Sequence, residues 1–254
     1  MYYFKFILTF SLLAVKSLSS PEPTHLRLPS NRKLGGDDTL YCESWRFTVE
    51  TNDCEPWNTV PNRCLEFVKS YMTGDRYKSD SYFVAENALS FAKSINVSGD
   101  GFDAWVFDVD ETLLSGLPYY ERHGFGSEVF NEETFYEWCS LANAPAVPAS
   151  LELYKELQQL GFTIFILTGR DESVRNSTEA GLRFAGFSDW KRLILRDPSD
   201  KGVPPTIYKS GKRKELVDAG YRIRGNSGDQ WSDLLGFGIA QRSFKLPNLL
   251  YYLP

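Results

Sequence analysis

The chain has 254 residues, 42% of them hydrophobic and 15% aromatic, and a formal net charge of −5. So many apolar and aromatic residues exclude a disordered chain, and slight acidity without a basic cluster argues against a nucleic-acid partner. Beyond the N-terminal segment about 215 residues remain, enough for one α/β domain with a sizeable core.

Residues 1–20 are expected to be a cleaved secretory signal. Met1–Lys5 is a short basic start, Phe6–Val15 an apolar core of ten residues, and Lys16 and the small Ser17, Ser19 and Ser20 follow. The run is too short to span a membrane, and no other long apolar stretch suggests an anchor. Residues 21–38 are polar and rich in Pro and Gly, and read as a flexible lead-in to a domain over 39–254. Cys42, Cys54, Cys64 and Cys139 form an even set, which in a secreted chain suggests disulfides. Three pairings are possible, and the close spacing of the first three favours at least one short-range bridge. Asn96-Val97-Ser98 and Asn176-Ser177-Thr178 are glycosylation sequons at Asn96 and Asn176, tripeptides that also occur by chance.

The region 40–100 predicts helices. Val60–Met72 places Cys64, Phe67, Val68 and Tyr71 at helical spacing, and Ser79–Ile95 places Val84, Ala88, Phe91, Ala92 and Ile95 on one face. Ser98-Gly99-Asp100-Gly101 breaks the chain before the apolar run Ala104-Trp105-Val106-Phe107, which reads as a buried strand. Residues 113–148 follow, with a helix near Glu132–Leu141. They form a small insertion that should overhang the end of that strand, and Tyr119, Tyr120 and His123 are candidates to face a ligand there or simply to pack. A unit then recurs. Helices Leu151–Leu160, Ser173–Ala185 and Lys212–Ala219 end at Gly161-Phe162, Gly186-Phe187 and Gly220-Tyr221, and strands Thr163–Leu167, Leu193–Leu195 and Arg222–Arg224 come after them. A last strand is expected at Ser243–Leu246. The pattern predicts an α/β fold: a Rossmann-like parallel five-stranded sheet with helices on both faces, a helical N-terminal extension and a small helical insertion after the first strand.

Polar residues gather where these strands end. Asp108 and Asp110 follow the first strand, at the sheet edge where open α/β folds bind ligands. Two acids there bind a hard cation, share nucleophile and acid/base work, or merely cap a turn. Thr168-Gly169-Arg170 closes the second strand and offers a hydroxyl, N–H groups and a guanidinium to an oxyanion, or forms an ordinary turn. Tyr208-Lys209-Ser210 is read as the opening of the third helix, with Ser210 a possible N-cap and Lys209 either able to reach over the sheet toward a phosphate or simply on the surface. Gly225-Asn226-Ser227-Gly228 leads into Asp229, with Asp233 four residues on, either in the same crevice or in a surface turn.

Asp108/Asp110, Thr168, Lys209 and Asp229, in that order at or after successive strand ends, resemble the haloacid dehalogenase superfamily. The stretches FDVDETLLSGLPYY, LTGR, YKSGKRKEL, YRIRGNSGDQWSDLLG and FKLPNLLYYLP resemble more closely the plant class B acid phosphatase and vegetative storage protein family, over roughly residues 39–254. That resemblance implies hydrolysis of small phosphomonoesters. Asp108 would be the nucleophile, Asp110 the acid/base and Thr168 with Gly169, Arg170 and Lys209 the phosphate site. Mg²⁺ would lie on Asp108, Asp229 and the backbone carbonyl of Asp110, with Asp233 bracing the site. It also implies a vacuolar or extracellular location, a possible homodimer or heterodimer with a close relative, no membrane contact after signal cleavage, and a storage role as the alternative to turnover.

Overall fold

The computed structural model describes residues 37–253. The expected signal segment and nearly all of the lead-in lie outside the described residues. Helices α1 (Asp38–Glu50), α2 (Leu65–Thr73) and α3 (Asp75–Lys93) precede strand β1 (Asp103–Phe107). The insertion carries α4 (Leu117–Arg122) and α5 (Glu132–Ser140). Then α6 (Pro148–Gln159), β2 (Thr163–Asp171), α7 (Arg175–Phe184), β3 (Arg192–Arg196), α8 (Pro205–Asp218), β4 (Arg222–Gly228), α9 (Trp231–Leu234) and β5 (Arg242–Lys245) alternate. The five strands pair in the order β3-β2-β1-β4-β5, all parallel, as the helix–Gly–aromatic–strand repeat predicts.

The three repeat boundaries share one local solution. Gly161, Gly186 and Gly220 take φ of 86°, 95° and 93°, and the N–H groups of Phe162, Phe187 and Tyr221 donate to the carbonyls of Leu157, Leu182 and Leu216 at 3.0–3.1 Å. Only glycine adopts that left-handed turn without steric cost, and the aromatic then folds back over the last helical turn. Alternation along the strands sends Trp105, Phe107, Ile164, Ile166, Leu193 and Leu195 to a face covered by α3, α6 and α7. Ala104, Val106, Phe165, Leu167 and Ile194 go to the face covered by α8. A second aromatic cluster joins the N-terminal extension to the insertion: Trp45, Val68 and Tyr71 pack with Tyr119, Tyr120 and Phe135.

Several boundaries differ from the sequence reading. Pro61 precedes a short 3-10 turn at Asn62–Cys64, so the expected helix from Val60 begins as α2 at Leu65. Helix α8 starts at Pro205 rather than at Tyr208, because proline without an N–H is well placed in a first turn. Ser210 is therefore not an N-cap. It is fully buried, with its hydroxyl donating to the Ile207 carbonyl at 3.4 Å. Strands β2 and β4 run on through Asp171 and Gly228, so the residues read as strand-end turns belong to the strands themselves. Gly225 is required there for space, since a Cβ would lie 2.4 Å from the Trp105 ring. Cys42 and Cys64 form a disulfide, whereas Cys54 and Cys139 are unpaired, so the even count does not resolve into two bridges. Asn96 and Asn176 are both exposed. Among the described residues no helix is long and apolar enough to cross a membrane.

Candidate active site

The strand order turns back on itself between β1 and β4: the chain proceeds outward through β2 and β3 on one side, then returns to place β4 and β5 on the other. Such a switch point opens a crevice at the carboxyl ends of the strands. Asp108 leaves β1 and Asp229 leaves β4 at that crevice. The Asp108 N–H donates to the Ser227 carbonyl at 3.0 Å, which fixes the nucleophile candidate to the neighbouring strand.

Lys209, one turn into α8, reaches over the sheet end. Its ammonium donates to Asp108 Oδ1 at 2.6 Å and also to Asp233 Oδ1, and all three side chains are buried. Asp108, Asp229 and Asp233 each offer a carboxylate oxygen, and these oxygens lie within 4.8 Å of one another. Three clustered carboxylates, two of them touching a single ammonium, leave an excess of negative charge in a low-dielectric pocket. Burial, with Asp233, Asp229 and Asp110 adding to it and Lys209 opposing it, holds the Asp108 carboxyl well above its ordinary range. Burial and the Asp233 charge push Asp229 up to about 6, although Asn248 and Gln230 pull it down. Burial alone would lower Lys209, but the two touching carboxylates more than offset it and keep it charged. An all-oxygen, electron-rich donor set of this kind fits a hard divalent cation.

Asp110 is placed differently. Its carboxylate leaves the acid cluster and takes a forked contact from Arg170, with Nη2 at 2.6 Å from Oδ1 and Nε at 3.0 Å from Oδ2. Arg170 Nη1 donates to Thr178 Oγ1 at 3.1 Å. Arg170, expected as a phosphate contact, directs this fork at Asp110 while lining the same cavity as Asp108 and Lys209. The reason is the length of β2: the strand continues past Thr168, so the side chain of Arg170 crosses to the turn after β1. Thr168 is fully buried beside it, with its hydroxyl accepting from the Arg170 N–H at 3.1 Å. The Asp110 side chain keeps 19% exposure, against 6% for Asp108, so it stands nearer the mouth.

A cavity of about 340 Å³ joins these groups. Asp108, Asp110, Gly169, Arg170, Lys209 and Asp229 all line it, which brings most of the sequence-predicted set to one space. Asp233 lies behind it, accepting from the Gln230 N–H at 2.9 Å and from Lys209. The insertion does overhang the site, contributing Tyr120, Phe130, Phe135 and Tyr136 to the walls. Tyr119 and His123 do not line this cavity. Tyr119 packs within the insertion against Phe135 and Trp138, and His123 stacks on Tyr119 at 4.2 Å and pairs with Glu128 at 3.0 Å.

Other residues at the site have no role in the sequence reading. Asp229 is clasped by Thr112 Oγ1 at 3.2 Å, Gln230 Nε2 at 2.8 Å and Asn248 Nδ2 at 2.7 Å. Asn248 belongs to the segment after β5, where its own N–H donates to Glu50 of α1 at 3.0 Å. Tyr251 follows and donates to the Asp110 carbonyl at 3.4 Å. Glu111, at a φ of 54°, turns inward, is fully buried and accepts from the Gly116 N–H. Thr112 and Gln230 lie inside the stretches FDVDET and GDQWSD, and the signal for the third partner is the polar Asn248 within the apolar run Leu246–Leu250.

The family model described as HAD superfamily, subfamily IIIB (acid phosphatase) matches residues 31–254. The chain is 49% identical over 233 residues to "Acid phosphatase 1" of Solanum lycopersicum, covering 92% of this chain and 90% of that one. It is 40% identical over 215 residues to "Vegetative storage protein 2" of Arabidopsis thaliana, covering 84% and 80%. Among solved structures, the class C acid phosphatase from Bacillus anthracis shares the fold with a TM-score of 0.62 at 23% identity, over 74% of this chain and 84% of that one.

Proposed function

The chain belongs to subfamily IIIB of the HAD superfamily, the acid phosphatases, and from that premise we propose that it hydrolyses small phosphomonoesters in a Mg²⁺-dependent reaction that passes through an aspartyl-phosphate. The observation that carries this reading is the buried acid cluster around Lys209, with Asp110 held separately at the cavity mouth. Two acids with different surroundings can serve two different roles. A carboxylate oxygen of Asp108 attacks phosphorus, the bond from phosphorus to the leaving oxygen breaks, and the proton on Asp110 passes to that oxygen. Asp110, now a carboxylate, takes a proton from water. The water oxygen attacks phosphorus, the bond to Asp108 breaks, and phosphate leaves with Asp110 protonated again. Thr168 and the Gly169 N–H hold the phosphoryl oxygens, and Lys209 balances their charge. A Mg²⁺ ion bound by Asp108, Asp229 and the Asp110 carbonyl would supply the charge compensation that lets an anionic nucleophile meet an anionic ester.

The test is hydrolysis of phenyl phosphate by the purified protein. Activity is expected with millimolar Mg²⁺, strongest at mildly acid pH, and lost on chelation and restored by adding the metal back. An inactive protein in Mg²⁺ would overturn the reading in favour of storage, which the likeness to a vegetative storage protein keeps as the second reading.

A physical readout accompanies it. Because the folded pKa of Asp229 is about 6, above its unfolded value, the metal-free fold binds an extra proton between roughly pH 4 and 6. Stability of the metal-free protein is therefore lost as pH rises through that window, and a cation competes with the proton for the same oxygens. The rise in Tm caused by Mg²⁺ is expected to be larger at pH 7 than at pH 4.5, by roughly 5 °C. Asp229→Asn should abolish that difference. A pH-independent increment would remove Asp229 from the metal site.

A further inference from the structure

Three cations line the cavity: Arg170, Arg196 and Lys209. Lys209 is paired with Asp108 and Asp233, and Arg170 with Asp110. Arg196 differs. It is the last residue of β3, opposite Asp171 at the end of β2, and so stands one strand farther along the edge that carries Thr168 and Arg170. Its Nη1 donates to the carbonyls of Asp200 at 3.1 Å and Val203 at 2.9 Å. Its guanidinium carbon lies 4.3 Å from the centroid of the Tyr208 ring, in the residue before Lys209. All of these partners are neutral. The nearby Asp200 carboxylate accepts from the Asp197 N–H at 3.1 Å and faces Lys212 at 3.8 Å. Among the described residues Arg196 has no carboxylate partner, and its Nε and Nη2 have no hydrogen-bond acceptor.

A turn clamp needs only the Nη1 contacts. They also immobilise the group, while the stacked ring fixes its plane, so the remaining N–H donors form an oriented fork at the cavity wall. A planar, permanently charged fork matches the paired oxygens of a carboxylate or a phosphate, and holding it in place beforehand removes much of the ordering cost of binding. The aromatic walls Tyr120, Phe135 and Tyr136 suit the body of a leaving group lying between Lys209 and this fork.

We propose that Arg196 is an anion-binding subsite of the cavity, and that the preferred substrates are phosphomonoesters whose leaving group carries a second anionic group, a carboxylate or another phosphate. The proposal rests on the phosphatase reading and adds the class of leaving group to it.

The experiment compares phenyl phosphate with 3- and 4-carboxyphenyl phosphate and with phenylene bisphosphate, in wild type, Arg196→Met and Arg196→Lys. Binding of the corresponding phosphonates, which cannot be hydrolysed, is measured by calorimetry alongside. The wild type is expected to favour at least one doubly anionic compound over its singly anionic parent by about tenfold, in kcat/KM and in Kd, as for a charge-assisted hydrogen-bond pair. Arg196→Met should bring that ratio close to one, and Arg196→Lys should leave part of it. The ratio is internal to each variant, so partial unfolding does not alter it. The arm with the larger loss identifies the anion as carboxylate or phosphate. A ratio near one in the wild type for every pair, or an equal ratio in Arg196→Met, overturns the subsite. If phenyl phosphate is not hydrolysed while the phosphonate ratios collapse in Arg196→Met, the phosphatase reading fails and the subsite stands.

Discussion

Asp108→Asn is expected to lower kcat for phenyl phosphate by at least about a thousandfold while leaving the protein folded. The amide has the same shape but cannot form the phosphoryl ester, and it is a poorer ligand for a hard cation. Folding should survive because Lys209 keeps its contact with Asp233, and because the substitution removes a buried carboxylate that burial and three neighbouring acids already disfavour. In the absence of metal, the urea midpoint of the variant should be no lower than that of the wild type. Undiminished turnover in Asp108→Asn would remove this residue from the nucleophile role. Lost turnover together with lost circular dichroism would show a structural role instead.

Lys209→Met is expected to have the largest effect on stability. The ammonium is buried and serves two buried carboxylates. Removing one partner of a buried ionic group leaves uncompensated charge, which costs about 3–5 kcal/mol. The sign with pH follows from the acids left behind. Asp108 has a raised pKa even with the lysine present, and losing the cation raises it further. The folded variant therefore takes up protons as pH falls, and the penalty is largest at neutral pH and shrinks toward pH 4.5. Millimolar Mg²⁺ should recover part of it by replacing the missing charge. Urea midpoints at the two pH values, with and without metal, check this, and an unaltered midpoint at pH 7 would show that the cluster is not charged as described. Activity should fall with stability at neutral pH but stay low where stability recovers, because phosphate then lacks its cation.

Much of the molecule is written in local chemistry. Glycine followed by an aromatic ends three helices in the same left-handed turn, and apolar runs mark strands buried on both faces. Those signals need only a few neighbouring residues, so periodicity and turn chemistry reveal them. The start of α8 is also legible, in Pro204-Pro205, whereas taking the Ser210 hydroxyl as an N-cap places it too late. That shift matters to the site, since it places Lys209 a full turn inside a helix, where its side chain is held over the sheet end.

Residue order along the chain determined that Asp108, Thr168, Lys209 and Asp229 come in turn at or after successive strands of one sheet, and hence the fold class and the family resemblance. Tertiary structure decided the rest. The direction of a side chain past the end of a strand depends on which strands flank it, and the order β3-β2-β1-β4-β5 is not a local property. It sets Asp233 within the acid cluster, turns Arg170 onto Asp110, and leaves Arg196 facing the cavity without a carboxylate partner among the described residues. It also brings Asn248, nineteen positions beyond Asp229, back to clasp that acid while Glu50 anchors its backbone from the first helix. Contacts of that kind cost loop-closure entropy and leave no periodic trace, so a linear reading finds the reacting acids but not the groups that aim them.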